Sequence, residues 1–414
     1  MTASTAPAPE AATAVAAPTT ARLWRSPGLA PLFTASTTAR LANEAARVAL
    51  VLLVLDRTGS PALAGAVVGA LALPALVTGP LLGAWLDRTA RRRSAFVLNQ
   101  VLLLTMLVAL LAVTGRAPGA VVVGLALVAG LAMPVLTGGF TGLIAPLVRP
   151  ALLRRAYGAE ATSYNTAAVA GPALAGGLAG LIDPTVAVAA TAAVSGLALL
   201  AVLRVPMPPP APDPAAPTLL RTVWAGIRHL ATTPALRSIT VATTLAFAGF
   251  GALPVAFPLL AEDLGASRAT GGLLFSVFAV GALSGSLMVA ARSPRTGPMR
   301  VAYACLVGIS AAWAAVALAP ALPVAVALIF VAGILEGPVL ASTLAVRELH
   351  SPAAMRTQIV TTAASLKFGA FAVGSALTGA VTAAGGARAG LVVASGAAAL
   401  GVAAGLLSAR GLRR

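Results

Sequence analysis

Long apolar runs alternate with short hydrophilic breaks along nearly the whole chain, and twelve of these runs are about long enough to cross a bilayer core as helices. The first six cover about 31–55, 61–86, 95–114, 119–144, 160–182 and 185–204. The second six cover about 238–261, 269–291, 299–319, 322–346, 358–383 and 387–409. The pattern predicts an all-α polytopic membrane protein with twelve transmembrane helices.

The breaks set the domain plan. Residues 1–25 are rich in Ala, Pro and Thr, carry no basic residue before Arg22 and lack an apolar core, so they read as a disordered cytoplasmic tail and not as a secretory signal. Residues 26–204 and 238–410 hold six spans each. Between them, 205–237 opens with a proline-rich stretch, Pro206 to Pro217, that cannot be helical. It continues with Leu219, Val223, Trp224, Ile227 and Leu230 at helical spacing, with Arg221 and Arg228 among them. Such a helix is expected along the cytoplasmic membrane surface, tethering two bundles.

The halves also repeat. Gly79 and Gly83 return as Gly281 and Gly285, 202 residues on, and Gly171 and Gly176 return as Gly374 and Gly379, 203 residues on. Small residues at such spacing let helices approach closely in lipid. Two six-helix bundles related by duplication are therefore predicted.

Composition supports this plan and removes other classes. Hydrophobic residues make up 59% of the chain and charged residues 9%, against about 25% charged in average soluble proteins. A net charge of +17 in a soluble protein would suggest nucleic acid. Here 21 basic residues fall on the tail, the even-to-odd connections and the end of the chain, and only Arg57, Arg116, Arg268 and Arg388 on the opposite side. That asymmetry is an orientation signal, which places both termini in the cytoplasm and makes no case for nucleic acid. Cys305 reads as a small packing residue, and His229 and His350 lie in different connections, so no metal site and no cofactor are expected.

Gly79 to Arg93 ends the second span and is its most informative stretch. It resembles the loop between helices two and three of the major facilitator superfamily: a glycine, an Asp-Arg pair, then basic residues. Gly83, Asp87, Arg88, Arg91 and Arg92 fall on that pattern, with Ala90 where the family usually has glycine. The resemblance implies that fold, helices of the first and fourth type lining a central cavity, and a gating role for Asp87 and its loop; a solvated loop charge is the alternative. The fifth span, with Gly171, Pro172 and Gly176, resembles a Gly-Pro motif of drug-proton antiporters with one extra residue between its pairs, and reads as close helix packing.

Enzyme signals are absent. There is no phosphate-binding loop, and the only lysine, Lys367, lies in an apolar span, so uphill work would draw on an ion gradient. Ionisable residues at membrane depth are costly unless paired or facing a cavity. Five qualify: Arg40, Glu44 and Arg47 in the first span, Glu336 in the tenth and Lys367 in the eleventh. Arg40, Glu44 and Arg47 share one helical face, which is expected to hold Glu44 between two cations, as a structural cluster or as part of a substrate or gating site. Glu336 has no basic residue nearer on its helix than Arg347, about three turns away. It is expected either to take up and release protons or to form a fixed salt bridge with Lys367.

The expectation is a monomeric secondary transporter in the cell membrane, exporting an amphiphilic or drug-like small molecule by alternating access with the proton as coupling ion. An importer of organic anions and a non-transporting membrane sensor are the alternatives.

Overall fold

The computed structural model describes residues 23–89, 91–132, 139–149, 152–207, 219–291, 296–352 and 355–409. The predicted tail up to residue 22, most of the proline-rich linker and the last arginines lie outside the described residues. Every regular element described is a helix, as the absence of water from a bilayer core requires of spans that must satisfy their own backbone groups.

The first half contains α1 (Leu29–Thr58), α2 (Pro61–Ala72), α3 (Ala75–Arg88), α4 (Arg92–Val113), α5 (Gly119–Gly130), α6 (Leu153–Leu181) and α7 (Pro184–Val202). Local chemistry sets their ends. Ser60 caps α2 by accepting from Leu63 N–H at 3.2 Å, with Pro61 following. Asp183 caps α7 by accepting from Val186 N–H at 3.0 Å, and that bond holds its carboxyl below the ordinary aspartate range. Pro74 lies in the short break that separates α2 from α3 within one span.

The second half contains α8 (Leu219–Thr232), α9 (Pro234–Phe250), α10 (Leu253–Asp263), α11 (Thr270–Ala291), α12 (Pro298–Ala317), α13 (Leu322–His350) and α14 (Arg356–Ser408). The amphipathic helix predicted after the linker is α8. Helices α9 and α10 form one span bent by 43°, and Trp313 packs into the bend against Phe250, Phe257 and Phe278 with ring centroids 6.2, 6.0 and 5.8 Å away. α14 is two spans: Gly386, at φ 77°, breaks it. Its arms fold back on one another, because a Cβ at Gly390 would lie 2.7 Å from Thr382 Oγ1, a separation that eight residues of straight helix, about 12 Å long, cannot give.

Seven helices among the described residues are long and apolar enough to cross a membrane, and the α9–α10 pair makes an eighth. With α14 counted twice, nine of the twelve predicted spans meet that test. The first and fifth, α1 and α6, are long but carry charges, and of the fourth, expected over 119–144, the 12-residue α5 and the short helices Phe140–Gly142 and Ile144–Leu147 are described, with 133–138 outside the described residues. The fold is as predicted, while the count of twelve is not fixed by length and composition alone.

Helices of each half pack mainly on one another, and the halves meet along two seams, α2 and α3 against α14 and α6 against α11. Glycines set the closeness of both. A Cβ at Gly65 would stand 2.7 Å from Gly379 Cα, and one at Gly176 2.9 Å from Gly272 Cα and 2.6 Å from the Ala269 oxygen. The predicted repeat glycines are thus not equivalent: Gly79 faces Ser365 across the halves, Gly171 packs on Glu44 and Ala45, and Gly281 and Gly285 pack on α13. Ser276 seals the α6–α11 seam by donating to the Val169 oxygen at 2.7 Å.

Gly176→Leu is expected to hold this seam open, since overpacking costs about 1–3 kcal/mol and each 1.4 kcal/mol is about tenfold in population. In a background without Cys305, a thiol introduced by Ser276→Cys should then react roughly tenfold faster with an impermeant maleimide. Equal rates with and without the leucine would contradict the tight seam.

Candidate functional site

The five charges expected at membrane depth separate into three groups. Arg40 is 3% exposed and Glu160, on α6, is 5% exposed. They form an ion pair, with Arg40 Nη2 donating to Glu160 Oε1. The same carboxylate accepts from Thr141 Oγ1 at 2.7 Å, Arg40 Nη1 donates to Ser163 Oγ at 3.0 Å, and the guanidinium lies 3.7 Å from the Tyr164 ring centroid. This corrects the expectation that Glu44 sits between two cations. Helical side chains lean toward the helix N-terminus, so Arg40 leans away from Glu44 and Arg47 leans back toward it.

Arg47 Nη1 bonds Glu44 Oε2 at 3.1 Å, and the Arg47 guanidinium lies 6.0 Å from the Phe371 ring on α14. The pair on α1 therefore reaches the second half. Phe371 and Phe368 both pack on Phe247, with ring centroids 6.0 and 6.3 Å from its own. Lys367 Nζ sits 5.5 Å from the same Phe247 ring.

Glu336 completes the set. It is half-buried, and its Oε2 is sealed from solvent with no hydrogen-bond partner among the described residues. Glu336 and Lys367 act on each other electrostatically, yet among the described residues no ion pair joins them. The fixed salt bridge considered from sequence is therefore not formed, and Lys367 lies against Phe247 instead. The arrangement is an ammonium over a π face and under the influence of a carboxyl whose Oε2 has no partner among the described residues.

In the loop after α3, two of the basic residues bond backbone oxygens. Arg92 Nε donates to the Leu86 oxygen at 2.9 Å, capping the end of α3, and Arg93 donates to the Leu203 and Val205 oxygens at 2.6 and 3.0 Å, tying the loop to the end of α7. Arg91 is exposed. α3 extends through Asp87 and Arg88, but their side chains, and the surroundings of Gly83, lie outside what is described.

A second feature lies between the first half of α3 and the first turns of α9 and α14. Beneath α8 lies a cavity of about 530 Å³, lined mainly by apolar side chains such as Leu76, Val77, Val223, Leu230 and Val241. Sequence reasoning missed Glu160, Tyr164, Phe247 and Phe371. Glu160 could have been found: α6 starts at Leu153, seven residues before the predicted edge of its span, which places Glu160 two turns inside the helix.

A model of the Major Facilitator Superfamily matches residues 32–253 and 239–412. The uncharacterized MFS-type transporter y4rN of Sinorhizobium fredii is 28% identical over 367 residues, covering 87% of this chain and 89% of that protein. Among solved structures, the nucleoside transporter NupG superposes with a TM-score of 0.76 at 15% identity, covering 92% of this chain and 99% of the other. An inward-facing bacterial homologue of the human lysosomal transporter Spinster gives 0.72 at 18% identity, with 94% and 97% covered. At these identities the two structures establish the shared fold.

Proposed function

Because the chain belongs to the Major Facilitator Superfamily, we propose that it exports an amphiphilic compound in exchange for protons, by alternating access between residues 26–204 and 238–410. Membership makes it an integral, multi-pass membrane protein and a secondary transporter of a small molecule, not an enzyme. The observation that carries the proton-coupled reading is Glu336, a carboxyl with a sealed and unbonded oxygen in electrostatic reach of Lys367. Protonation of this carboxyl removes the charge it presents to Lys367 and ionisation restores it, so proton occupancy sets which state of the carrier is favoured.

The amphiphilic character is supported by the rings of Phe247, Phe368 and Phe371 beside ionised groups, and by the apolar cavity under α8, which offers a path from the inner leaflet. The arginine distribution supports both termini in the cytoplasm and a place in the cell membrane. Asp87 and Arg88 are assigned to latching the cytoplasmic side, and the transporter is taken to work as a monomer.

The test is proton movement in everted membrane vesicles with an acid interior, on adding lipophilic cations, amphiphilic anions and sugars in turn. At least one amphiphile should dissipate the pH gradient in vesicles that contain the protein and not in vesicles that lack it. Dissipation by sugars alone, or proton flux in the same direction as substrate, would overturn amphiphile export.

A further inference from the structure

Arg347 lies three residues before the end of α13, is 4% exposed, and has no role in the site above. Its Nε and Nη2 are both sealed from solvent and have no hydrogen-bond partner among the described residues. These two atoms form one edge of the guanidinium, from which two N–H bonds point side by side. That edge matches the paired oxygens of a carboxylate or phosphate, and its planar fork is what distinguishes arginine from lysine in such sites.

A buried guanidinium edge without acceptors is rare, because desolvation of a charge is repaid only by a well-placed counter-charge. A position in the last turn of α13 would allow it to bond the final carbonyl oxygens, but these two nitrogens do not do so. Arg347 borders a cavity of about 320 Å³ together with Leu344, Ala345, Glu348 and Val360. Glu348 stands on the exposed rim. Across the α13–α14 gap, Lys367 lies within electrostatic reach of both Arg347 and Glu336. Arg347 and Glu348 are thus the charged residues of this cavity's lining, and Lys367 and Glu336 lie beyond it.

We propose that Arg347 forms, on this cavity, a binding site for an oxyanion: the carboxylate or phosphate group of a transported amphiphile or of an inner-leaflet lipid. The site narrows the substrate class to acidic amphiphiles in the first case. It rests on the family and the fold, and not on the direction of transport or on proton coupling.

The experiment uses the full-length protein in detergent, with thermal unfolding and equilibrium binding followed on adding decanoate, decyl phosphate or inorganic phosphate. A parallel arm uses nanodiscs of phosphatidylglycerol or phosphatidylcholine. Saturable stabilisation by decanoate or decyl phosphate assigns the site to a substrate; stabilisation by phosphatidylglycerol over phosphatidylcholine alone assigns it to a lipid head group. In either case Arg347→Gln should weaken binding about tenfold or more, and Arg347→Lys should recover only part of it, lacking the fork. Without added anion, Arg347→Gln should be as stable as the wild type or more so, because it removes an unmatched buried charge. Equal anion affinity in wild type and Arg347→Gln, no saturable binding of any probe, or a large loss of anion-free stability in Arg347→Gln would overturn the proposal.

Discussion

Glu160→Ala is expected to destabilise the folded protein by about 3–5 kcal/mol, the usual cost of breaking a buried ion pair from one side. The carboxylate accepts from Arg40 and from Thr141, so its removal takes the counter-charge from a guanidinium that is 3% exposed between α1 and α6 and still bonded to Ser163. Tyr164, whose ring lies 3.7 Å from the Arg40 guanidinium, offsets only a fraction of that loss. The check is a double-mutant cycle on unfolding in detergent: Arg40→Met and Glu160→Leu should each be costly, and the double variant much less so than their sum. Additive losses would mean that the two charges act independently.

Glu336→Gln is expected to abolish uphill transport while sparing exchange. The amide keeps the size of the side chain but cannot take up a proton, so the step that ties the empty carrier's return to the proton gradient is lost. The substrate-loaded carrier does not need that step. Counterflow of labelled against unlabelled substrate should therefore continue at near wild-type rate, and accumulation against a gradient should stop. Loss of both activities together would place Glu336 in substrate binding or in the packing of α13 instead.

The reach of the sequence can be judged from particular residues. The spans and the superfamily fold were legible because a bilayer allows few solutions: an apolar run of sufficient length must be helical, and arginines must lie at its ends. Glu336 was legible as a lone carboxyl at depth for the same reason. Partners were less legible, because they depend on where side chains lean and on which helices pack together. Arg40 shares a helical face with Glu44 yet turns to Glu160, 120 residues away in sequence. Glu160 itself was passed over because the span edge was set at it, although α6 starts at Leu153 with two arginines in its first turn. The aromatic group at Phe247, Phe368 and Phe371 brings together two segments more than 100 residues apart, and no local pattern records that meeting. Arg347 read from sequence as an ordinary cytoplasmic loop charge; only the structure seals two of its nitrogens.

The most direct test of proton-coupled export is a proton count. Proteoliposomes containing the purified protein are loaded with an amphiphile that the vesicle panel identifies, and proton movement per substrate molecule is measured for wild type and Glu336→Gln under the same pH gradient. The account predicts at least one proton moving opposite to each substrate molecule in the wild type and none in the variant. The same proton movement in both would contradict it.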